Sequence, residues 1–233
     1  MSSVEQAEIE HFAKDSHAWW DESGAFAPLH RLNPVRMKYI VGQLETHFDR
    51  FEGLSILDIG CGGGLVCEPL ARLGAKVAGI DADRNAIATA QDHAERQGLK
   101  IDYKVSAAED MKKTFDVVLA LEIVEHVKDV DSFIQTCVGL CKPNGLLIFS
   151  TLNRTAKSFA LGIVAAEYVV RWVPQGTHNW KKFVKPSELA QSIRRAGAQE
   201  QNIKGLVYRP FFGDFDLSDT DIDVNYFLSA VKP

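Results

Sequence analysis

A glycine-rich turn and an aspartate have the spacing of a nucleoside-binding site. Every position from 60 to 64 except Cys61 is glycine, and the turn follows a short, mostly apolar run at 56–59. Glycines leave the main chain bare, so a nucleoside can approach it closely, and they permit the positive φ angles of a tight turn. Asp81 ends the next apolar run about 20 residues later, where a carboxylate can accept hydrogen bonds from both ribose hydroxyls.

The order of the glycines favours S-adenosylmethionine over a dinucleotide. A dinucleotide fingerprint, Gly-x-Gly-x-x-Gly, would place its third glycine at position 65, which is Leu65. The pattern present is Asp58-x-Gly60-x-Gly62-x-Gly64. It resembles the first motif of the class I S-adenosylmethionine-dependent methyltransferases, in which an acid precedes the glycines. A glycine turn with only a structural role is the alternative, and the acid at the end of the next run disfavours it.

Arg36 is a candidate ligand for the amino-acid end of such a cofactor. Asn33-Pro34 predicts a helix start, with Asn33 as the cap, so that Arg36 lies in the first turn of a helix running to about His47. A guanidinium group can hold a carboxylate by two parallel hydrogen bonds. A surface arginine without this role is the alternative interpretation.

Two carboxylates and an imidazole follow the predicted buried strand at 115–121. Glu122, Glu125 and His126 would lie beside the cofactor, because the carboxyl ends of parallel strands meet along one edge of a sheet. Their oxygen and nitrogen atoms suit Mg²⁺ or a similar divalent cation that keeps several waters. His126 could instead be a general base that removes a phenolic proton. A polar helix start without catalytic function is the third interpretation.

The elements that would position these residues alternate between strand and helix. That alternation predicts a parallel sheet with helices on both faces. Beyond it we predict a helix at 186–196, strands at 203–208 and 224–230, and a solvated acidic loop around the aspartates at 214–223. The alternating part has predicted strands at 56–59, 77–80, 101–105, 115–121 and 146–150, and predicted helices at 65–73, 84–98 and 130–141.

Length and composition predict one domain. The 233 residues are enough for a single α/β domain, 1–233, with an N-terminal helical cap over about 1–50 that begins with a helix at 5–20. A net charge of −5 gives a nucleic-acid partner no general electrostatic support. The four cysteines show no Cys-x-x-Cys pair and nothing resembles a secretory leader, so we expect a cytoplasmic protein.

The segment 154–185 interrupts the regular pattern after the fifth predicted strand. It holds six basic side chains and one acid, Glu167, together with an apolar run at 159–170. Such a run is too short to cross a bilayer, which needs about 20 residues. An apolar helix with cations and tryptophans can lie in the interface of an anionic membrane, or it can form a lid over the active site. The sequence leaves both interpretations open.

Several stretches together resemble one family more closely, the ubiquinone biosynthesis O-methyltransferases. The likeness spans about 11–228. The glycine motif is shared by a whole superfamily, whereas the stretches at 150–155 and 176–186 are far more specific. The stretches that carry the resemblance are 28–36, 58–64, 122–127, 150–155, 176–186, 205–208 and 223–226.

The resemblance implies a Rossmann-like, mostly parallel, seven-stranded class I fold and a metal-assisted O-methylation. The methyl group of S-adenosylmethionine would go to catechol-type hydroxyls of two polyprenylated intermediates, 2-polyprenyl-6-hydroxyphenol and 3-demethylubiquinol. Leu121 stands where the family can have methionine, which should keep an apolar contact with the cofactor. By resemblance, the cofactor contacts are Arg36, Gly60, Asp81 and Leu121, and the metal ligands are Glu122, Glu125 and His126.

The expected partners follow from this resemblance. They are the polyprenylated phenol or quinol, an anionic membrane surface contacted through 154–185 at the inner face of the plasma membrane, and other enzymes of ubiquinone biosynthesis. One rival function is methylation of a soluble phenol, with the segment 154–185 acting only as a lid. A non-catalytic lipid-binding scaffold that keeps the fold is another.

Overall fold

The computed structural model of the chain describes Ser16, residues 18–161 and residues 179–233. Short 3₁₀ turns at Ala108–Asp110, Val124–His126 and Trp180–Lys182 connect its longer elements. In chain order these are α1 Ala27–His47, β1 Ser55–Ile59, α2 Cys67–Arg72, β2 Lys76–Asp81, α3 Arg84–Arg96, β3 Asp102–Val105, β4 Phe115–Leu121, α4 Val130–Leu140, β5 Cys141–Leu152, α5 Ala156–Ser158, α6 Pro186–Arg195, β6 Gln199–Arg209, β7 Asp214–Ser218 and β8 Asn225–Val231.

The strands form one sheet in the order β3-β2-β1-β4-β5-β8-β6-β7. Strands β1 to β5 are parallel to one another, and β8 joins β5 in the antiparallel sense. The strand order reverses between β1 and β4, and open α/β sheets bind ligands outside the carboxyl ends of the strands at such a reversal. The predicted parallel sheet is therefore confirmed, with the predicted ligand edge at its centre.

The number of strands differs from the prediction, since the described residues form eight strands rather than seven. The additional strand, β7, contains Asp214 and Asp216, which were assigned to an acidic loop. Arg209 pairs with both aspartates, at 2.7 and 3.0 Å, and so compensates their charge. Phe215 and Leu217 alternate with the aspartates and pack on the core, which is the period of a strand.

Helix α1 begins earlier than predicted. It starts at Ala27 with Pro28 in its first turn, whereas Pro34 lies in the helix interior and Asn33 is not its cap. Proline fits the first turn because its φ is preset, while an interior proline costs about 3 kcal/mol. The buried face of the helix, which includes Tyr39, Ile40 and Leu44, outweighs that cost.

Helices cover both faces of the sheet, as predicted. One hydrophobic cluster joins the strands to α1, α2 and α3, and the other joins them to α4 and α6. The residues of β4 from Val117 to Ala120 are fully buried, as expected of a parallel strand covered on both sides. This rigid centre holds the carboxyl ends of β1 and β4 next to each other.

Two predicted segments lie largely outside the described residues. They are the N-terminal helix at 5–20, of which Ser16 and 18–20 are described, and the apolar run at 159–170, of which 159–161 are described. Within the described ranges, no helix combines the length and the apolar character needed to cross a membrane.

Candidate active site

The glycine turn after β1 is closed by hydrogen bonds to β2. The main-chain N–H groups of Gly60 and Cys61 both donate to the carbonyl oxygen of Ile80, at 2.8 and 3.0 Å. Gly60, Gly62 and Gly64 have φ angles of 74°, 52° and 89°, which favour glycine. A Cβ atom at Gly64 would also lie 2.2 Å from the hydroxyl oxygen of Tyr103. Residues with side chains would therefore be strained in this turn.

Asp81 lies at the end of β2, facing this turn. Its Oδ2 accepts a hydrogen bond from the N–H of Gly62 at 2.9 Å, and its Oδ1 accepts one from the N–H of Asp83 at 2.8 Å. Burial raises the pKa of the Asp81 carboxyl, and the two N–H donors oppose that shift. Each carboxylate oxygen still has a lone pair for a ribose hydroxyl.

The segment before α1 lies on the same turn. The indole of Trp19 would be only 2.4 Å from a Cβ atom at Gly62 and 2.5 Å from one at Gly63, so the ring covers the bare main chain there. Trp20 donates from Nε1 to the carbonyl oxygen of Gly63 at 3.0 Å, and its ring stacks on His93 at 3.6 Å. A nucleoside held by Asp81 must therefore share this space with the indole of Trp19. Neither tryptophan was predicted to be a site residue.

Arg36 is buried, with 6 % of its surface exposed, and it projects from α1 toward two carboxylates. Desolvation lowers the pKa of its guanidinium group, while the charges of Glu122 and Asp58 raise it. Burial raises the pKa of Asp58 to about 7, against a hydrogen bond from the Cys67 thiol and the charge of Arg36. The Nε atom of Arg36 is buried without a hydrogen-bond partner. This unsatisfied donor fits the carboxylate of an amino-acid ligand.

The end of β4 presents the predicted carboxylates on a strained backbone. Glu122, directly after Leu121, has a φ of 54°, which is uncommon for a residue other than glycine and is typical of functional sites. Its Oε1 accepts a hydrogen bond from the Ser150 hydroxyl at 2.6 Å, and its Oε2 accepts one from Asn225 Nδ2 at 2.9 Å. The side chain is therefore fixed from two neighbouring strands, β5 and β8.

Glu125 is more deeply buried than Glu122. Its Oε2 accepts a hydrogen bond from the Thr151 hydroxyl at 2.7 Å. Desolvation and the charge of Glu122 raise the pKa of Glu125 to about 7, against the charge of His126 and the hydrogen bond from Thr151. A carboxyl group with such a pKa can change its protonation state near neutral pH, as a general base must.

The two halves of the site meet at Gly60. A Cβ atom at Gly60 would lie 3.1 Å from the side chain of Ile123, the residue after Glu122. The negative charges of both Asp58 and Glu122 act on the Arg36 guanidinium group and raise its pKa. The fold therefore brings together the predicted residues at the ends of β1, β2 and β4. We call residues 60–64 with Asp81 and Arg36 the cofactor side, and residues 121–126 with Ser150, Thr151 and Asn225 the acceptor side.

The predicted metal ligands do not form a ready coordination shell. Among the residues that the structure describes, no three His, Cys, Asp or Glu side chains are grouped so that they could hold a metal ion. Both oxygens of Glu122 already accept hydrogen bonds from Ser150 and Asn225. Coordination by Glu122, Glu125 and His126 would require these side chains to rearrange.

The donors to the two glutamates were missed as site residues, although their stretches were noticed. Ser150 and Thr151 belong to the stretch 150–155, and Asn225 belongs to 223–226, both of which carry the family resemblance. The only signal in the sequence was the presence of polar residues at the end of an apolar strand. Their role becomes visible once β5 and β8 lie beside β4 in the sheet.

Comparisons with known proteins agree with this fold. A family model described as a methyltransferase domain matches residues 57–149. Among solved structures, the magnesium protoporphyrin IX methyltransferase of Synechocystis with bound SAM has a TM-score of 0.67 at 16 % identity, covering 100 % of both chains. A possible histamine N-methyltransferase from Thermotoga maritima has a TM-score of 0.67 at 15 % identity, covering 98 % of this chain and 100 % of that one. These structures show the class I methyltransferase fold.

Curated relatives cover nearly the whole chain. The ubiquinone biosynthesis O-methyltransferase of Nitrobacter winogradskyi is 50 % identical over 238 residues, covering 98 % of this chain and 91 % of that protein. The protein of the same name from Rickettsia felis is 46 % identical over 230 residues, covering 98 % of this chain and 94 % of that protein. Since the chain matches these relatives almost from end to end, it belongs to the ubiquinone biosynthesis O-methyltransferase family.

Proposed function

We propose that the chain transfers the methyl group of S-adenosylmethionine to a catechol-type hydroxyl of a polyprenylated phenol or quinol. The substrates would be 2-polyprenyl-6-hydroxyphenol and 3-demethylubiquinol. The observation that carries the proposal is the close approach at Gly60, because it joins the glycine turn to Glu122 and the buried Glu125. The family membership supports the choice of substrate class.

The cofactor side would hold the donor in the proposed reaction. Asp81 would accept hydrogen bonds from the ribose hydroxyls, and Arg36 would donate to the carboxylate of the methionine end. Leu121, which is buried at the end of β4, would give an apolar contact beside the transferred group. When bound, the cofactor supplies an electrophilic methyl carbon, whose bond to sulfur breaks as its bond to the phenolic oxygen forms.

The acceptor side would make that oxygen nucleophilic. We assign the role of proton acceptor to the Glu125–His126 pair, with the proton passing on to solvent, because burial raises the pKa of Glu125 to about 7. Ser150 and Thr151 keep the two glutamates in place by their hydrogen bonds. The Oδ1 atom of Asn225, buried and without a hydrogen-bond partner, would accept from the second hydroxyl of the catechol.

The divalent cation predicted at Glu122, Glu125 and His126 stays a prediction. Such an ion would lower the pKa of the phenol and orient it, in place of direct proton removal. Enzyme stripped with a chelator and then assayed with and without Mg²⁺ separates the two routes. Loss of activity that Mg²⁺ restores would support the ion, and full activity in the chelator would support direct proton removal.

Membrane contact through the segment 154–185 also stays a prediction. Phe159 and Leu161, at the described start of its apolar run, are about half exposed and support it. Two of its cations are paired within the protein, Arg154 with Glu188 and Lys157 with Asp221, so membrane attraction would depend on others. Co-sedimentation with anionic vesicles tests this, since a variant lacking residues 159–178 should stay in the supernatant. Equal sedimentation of both proteins would leave the segment as a lid.

The function itself is tested by methyl transfer from labelled cofactor to a short-chain demethylubiquinol. A water-soluble catechol serves as the competing acceptor. We expect the prenylated quinol to be the better substrate by kcat/KM. A better rate with the soluble catechol would favour methylation of a soluble phenol, and transfer to neither acceptor would favour a non-catalytic scaffold. A further proposed partner is another enzyme of ubiquinone biosynthesis, which co-purification from cells would reveal.

A further inference from the structure

Four buried polar atoms around the glycine turn have no hydrogen-bond partner within the described part of the chain. They are Nε1 of Trp19, Oδ1 of Asn33, Nε of Arg36 and the hydroxyl oxygen of Tyr103. A buried polar atom without a partner costs about 1–3 kcal/mol, so such atoms grouped at one site indicate a missing ligand. The Trp19 and Arg36 atoms are donors, Asn33 Oδ1 is an acceptor, and the Tyr103 hydroxyl can be either. A ligand that satisfies them all must carry both acceptor and donor groups.

The orientation of the Asn33 amide is fixed by the turn itself. Its Nδ2 donates to the carbonyl oxygen of Leu65 at 2.8 Å, and Leu65 directly follows Gly64. That hydrogen bond distinguishes the amide nitrogen from the oxygen, because a carbonyl can only accept. The acceptor atom Oδ1 is therefore held next to the glycine turn.

Asn33 and Arg36 lie three residues apart on α1, so their side chains share one face of the helix. The charges of Asp58, which precedes the glycine turn, and of Glu122, on the acceptor side, both act on the Arg36 guanidinium group. Asn33 reaches Leu65 on the other side of the same turn. The helix thus offers a cation and a neutral acceptor side by side, which is the complement of an amino acid's carboxylate and ammonium groups.

We propose that Asn33 Oδ1 accepts a hydrogen bond from the α-ammonium group of the cofactor's methionine end, while Arg36 holds its carboxylate. This inference rests on the proposed function, because it takes S-adenosylmethionine as the donor. Under this proposal Asn33 recognises the ammonium group and fixes the orientation of the cofactor's methionine end. The direction of the methyl group toward the acceptor side depends on that orientation.

Calorimetry with two ligands tests the proposal. One ligand is S-adenosylhomocysteine, and the other is its analogue in which hydrogen replaces the α-ammonium group. We expect Asn33→Ala to weaken binding of S-adenosylhomocysteine about tenfold to a hundredfold, the range for a hydrogen bond to a charged group. The analogue should bind the wild type and the variant with equal affinity. Thermal unfolding of each variant checks that it is folded.

Asn202 provides the matched control. Its Oδ1 is also buried without a partner, but it lies on β6, paired with Ser229 of β8 and away from the glycine turn. Asn202→Ala should bind both ligands like the wild type. Asn33→Asp keeps an acceptor oxygen, so it should retain the preference for the ligand that carries the ammonium group.

The outcomes separate this inference from the proposed function. If Asn33→Ala lost affinity equally for both ligands, Asn33 would only support the turn through Leu65, and the inference would be wrong while the function stood. If the wild type bound neither ligand, the proposed function would fail and the inference with it. A loss confined to S-adenosylhomocysteine, absent in Asn202→Ala, supports the assignment.

Discussion

The cofactor side and the acceptor side hold their carboxylates in different ways. Asp81 accepts hydrogen bonds from main-chain N–H groups of Gly62 and Asp83, which come from the same β-α-β unit. Glu122 and Glu125 accept theirs from side chains that are distant in sequence, contributed by β5 and β8. One carboxylate is thus fixed by local backbone geometry and the other two by tertiary structure.

This difference has a chemical consequence. Main-chain donors cannot be rearranged without unfolding the turn, so under the proposed function Asp81 would be held in one position for the ribose in every reaction cycle. Side-chain hydroxyls rotate, so Ser150 and Thr151 can follow changes of charge on the two glutamates. We infer that the cofactor side provides fixed binding and the acceptor side provides the change of protonation.

The largest expected effect belongs to the acceptor side. Glu125→Gln keeps the size of the side chain and an acceptor for Thr151 but removes the proton-accepting group. We expect kcat to fall about a hundredfold or more, while the affinity for S-adenosylhomocysteine stays unchanged. The wild-type rate should rise with pH and level off above about 7, where Glu125 is ionised, and the variant should lose this dependence.

Steady-state rates at several pH values, together with calorimetry, measure both parts of that prediction. Wild-type kcat that is flat across pH 6 to 8 would contradict the role of Glu125. If Glu125→Gln had normal kcat but weakened cofactor binding, Glu125 would contribute to binding and not to proton removal.

The next effect concerns the cofactor side. Asp81→Ala removes the proposed acceptor of both ribose hydroxyls, and we expect the Kd for S-adenosylhomocysteine to rise about a hundredfold. Asp116→Ala is the control, because Asp116 lies at the opposite end of the sheet, where it binds Ser55 and Lys142. The control should bind the ligand normally. Equal losses in both variants would mean that the effect is one of stability.

A smaller effect is expected on the pH dependence of the free energy of unfolding. Asp58 and Glu125 each have a folded-state pKa raised by burial to about 7, above their ordinary values of 3.8 and 4.5. The folded state then binds more protons than the unfolded state, so stability should fall as pH rises from about 4 to about 7. Asp58→Asn should reduce that fall by about 3 kcal/mol, and Glu125→Gln should reduce it in the same direction.

Urea unfolding at pH 5 and pH 7.5 measures this dependence. Stability that increases with pH in the wild type would show that the two carboxyl groups are ionised at little cost, against the burial described here. If the pH dependence of stability were unchanged in both variants, other titratable groups would cause it.

The same contrast explains what the sequence could predict. The adjacency of the glycine turn and Asp81 could be predicted because both belong to one β-α-β unit, and their proposed function stays a prediction. Glu122, Glu125 and His126 were placed at the correct edge from the end of β4 alone, but their donors were not. Ser150 and Asn225 meet Glu122 only because β8 pairs with β5 in the antiparallel sense.

The errors in the fold have local causes. The acidic residues of β7 concealed the alternation of Phe215 and Leu217, since the pairing of Asp214 with Arg209 is a tertiary contact. The helix start at Asn33 was wrong because Asn-Pro is a common cap signal, whereas Asn33 here binds Leu65 across the glycine turn. An asparagine that caps a helix and one that makes a tertiary hydrogen bond have the same side chain, so sequence alone does not separate them.

A crystal structure with S-adenosylhomocysteine tests the central claim most directly. We predict that the ribose hydroxyls lie within hydrogen-bond distance of Asp81 and the carboxylate next to Arg36, with the sulfur facing Glu122 and Glu125. A crevice still filled by the indole of Trp19, with the ligand bound elsewhere, would contradict the proposed function.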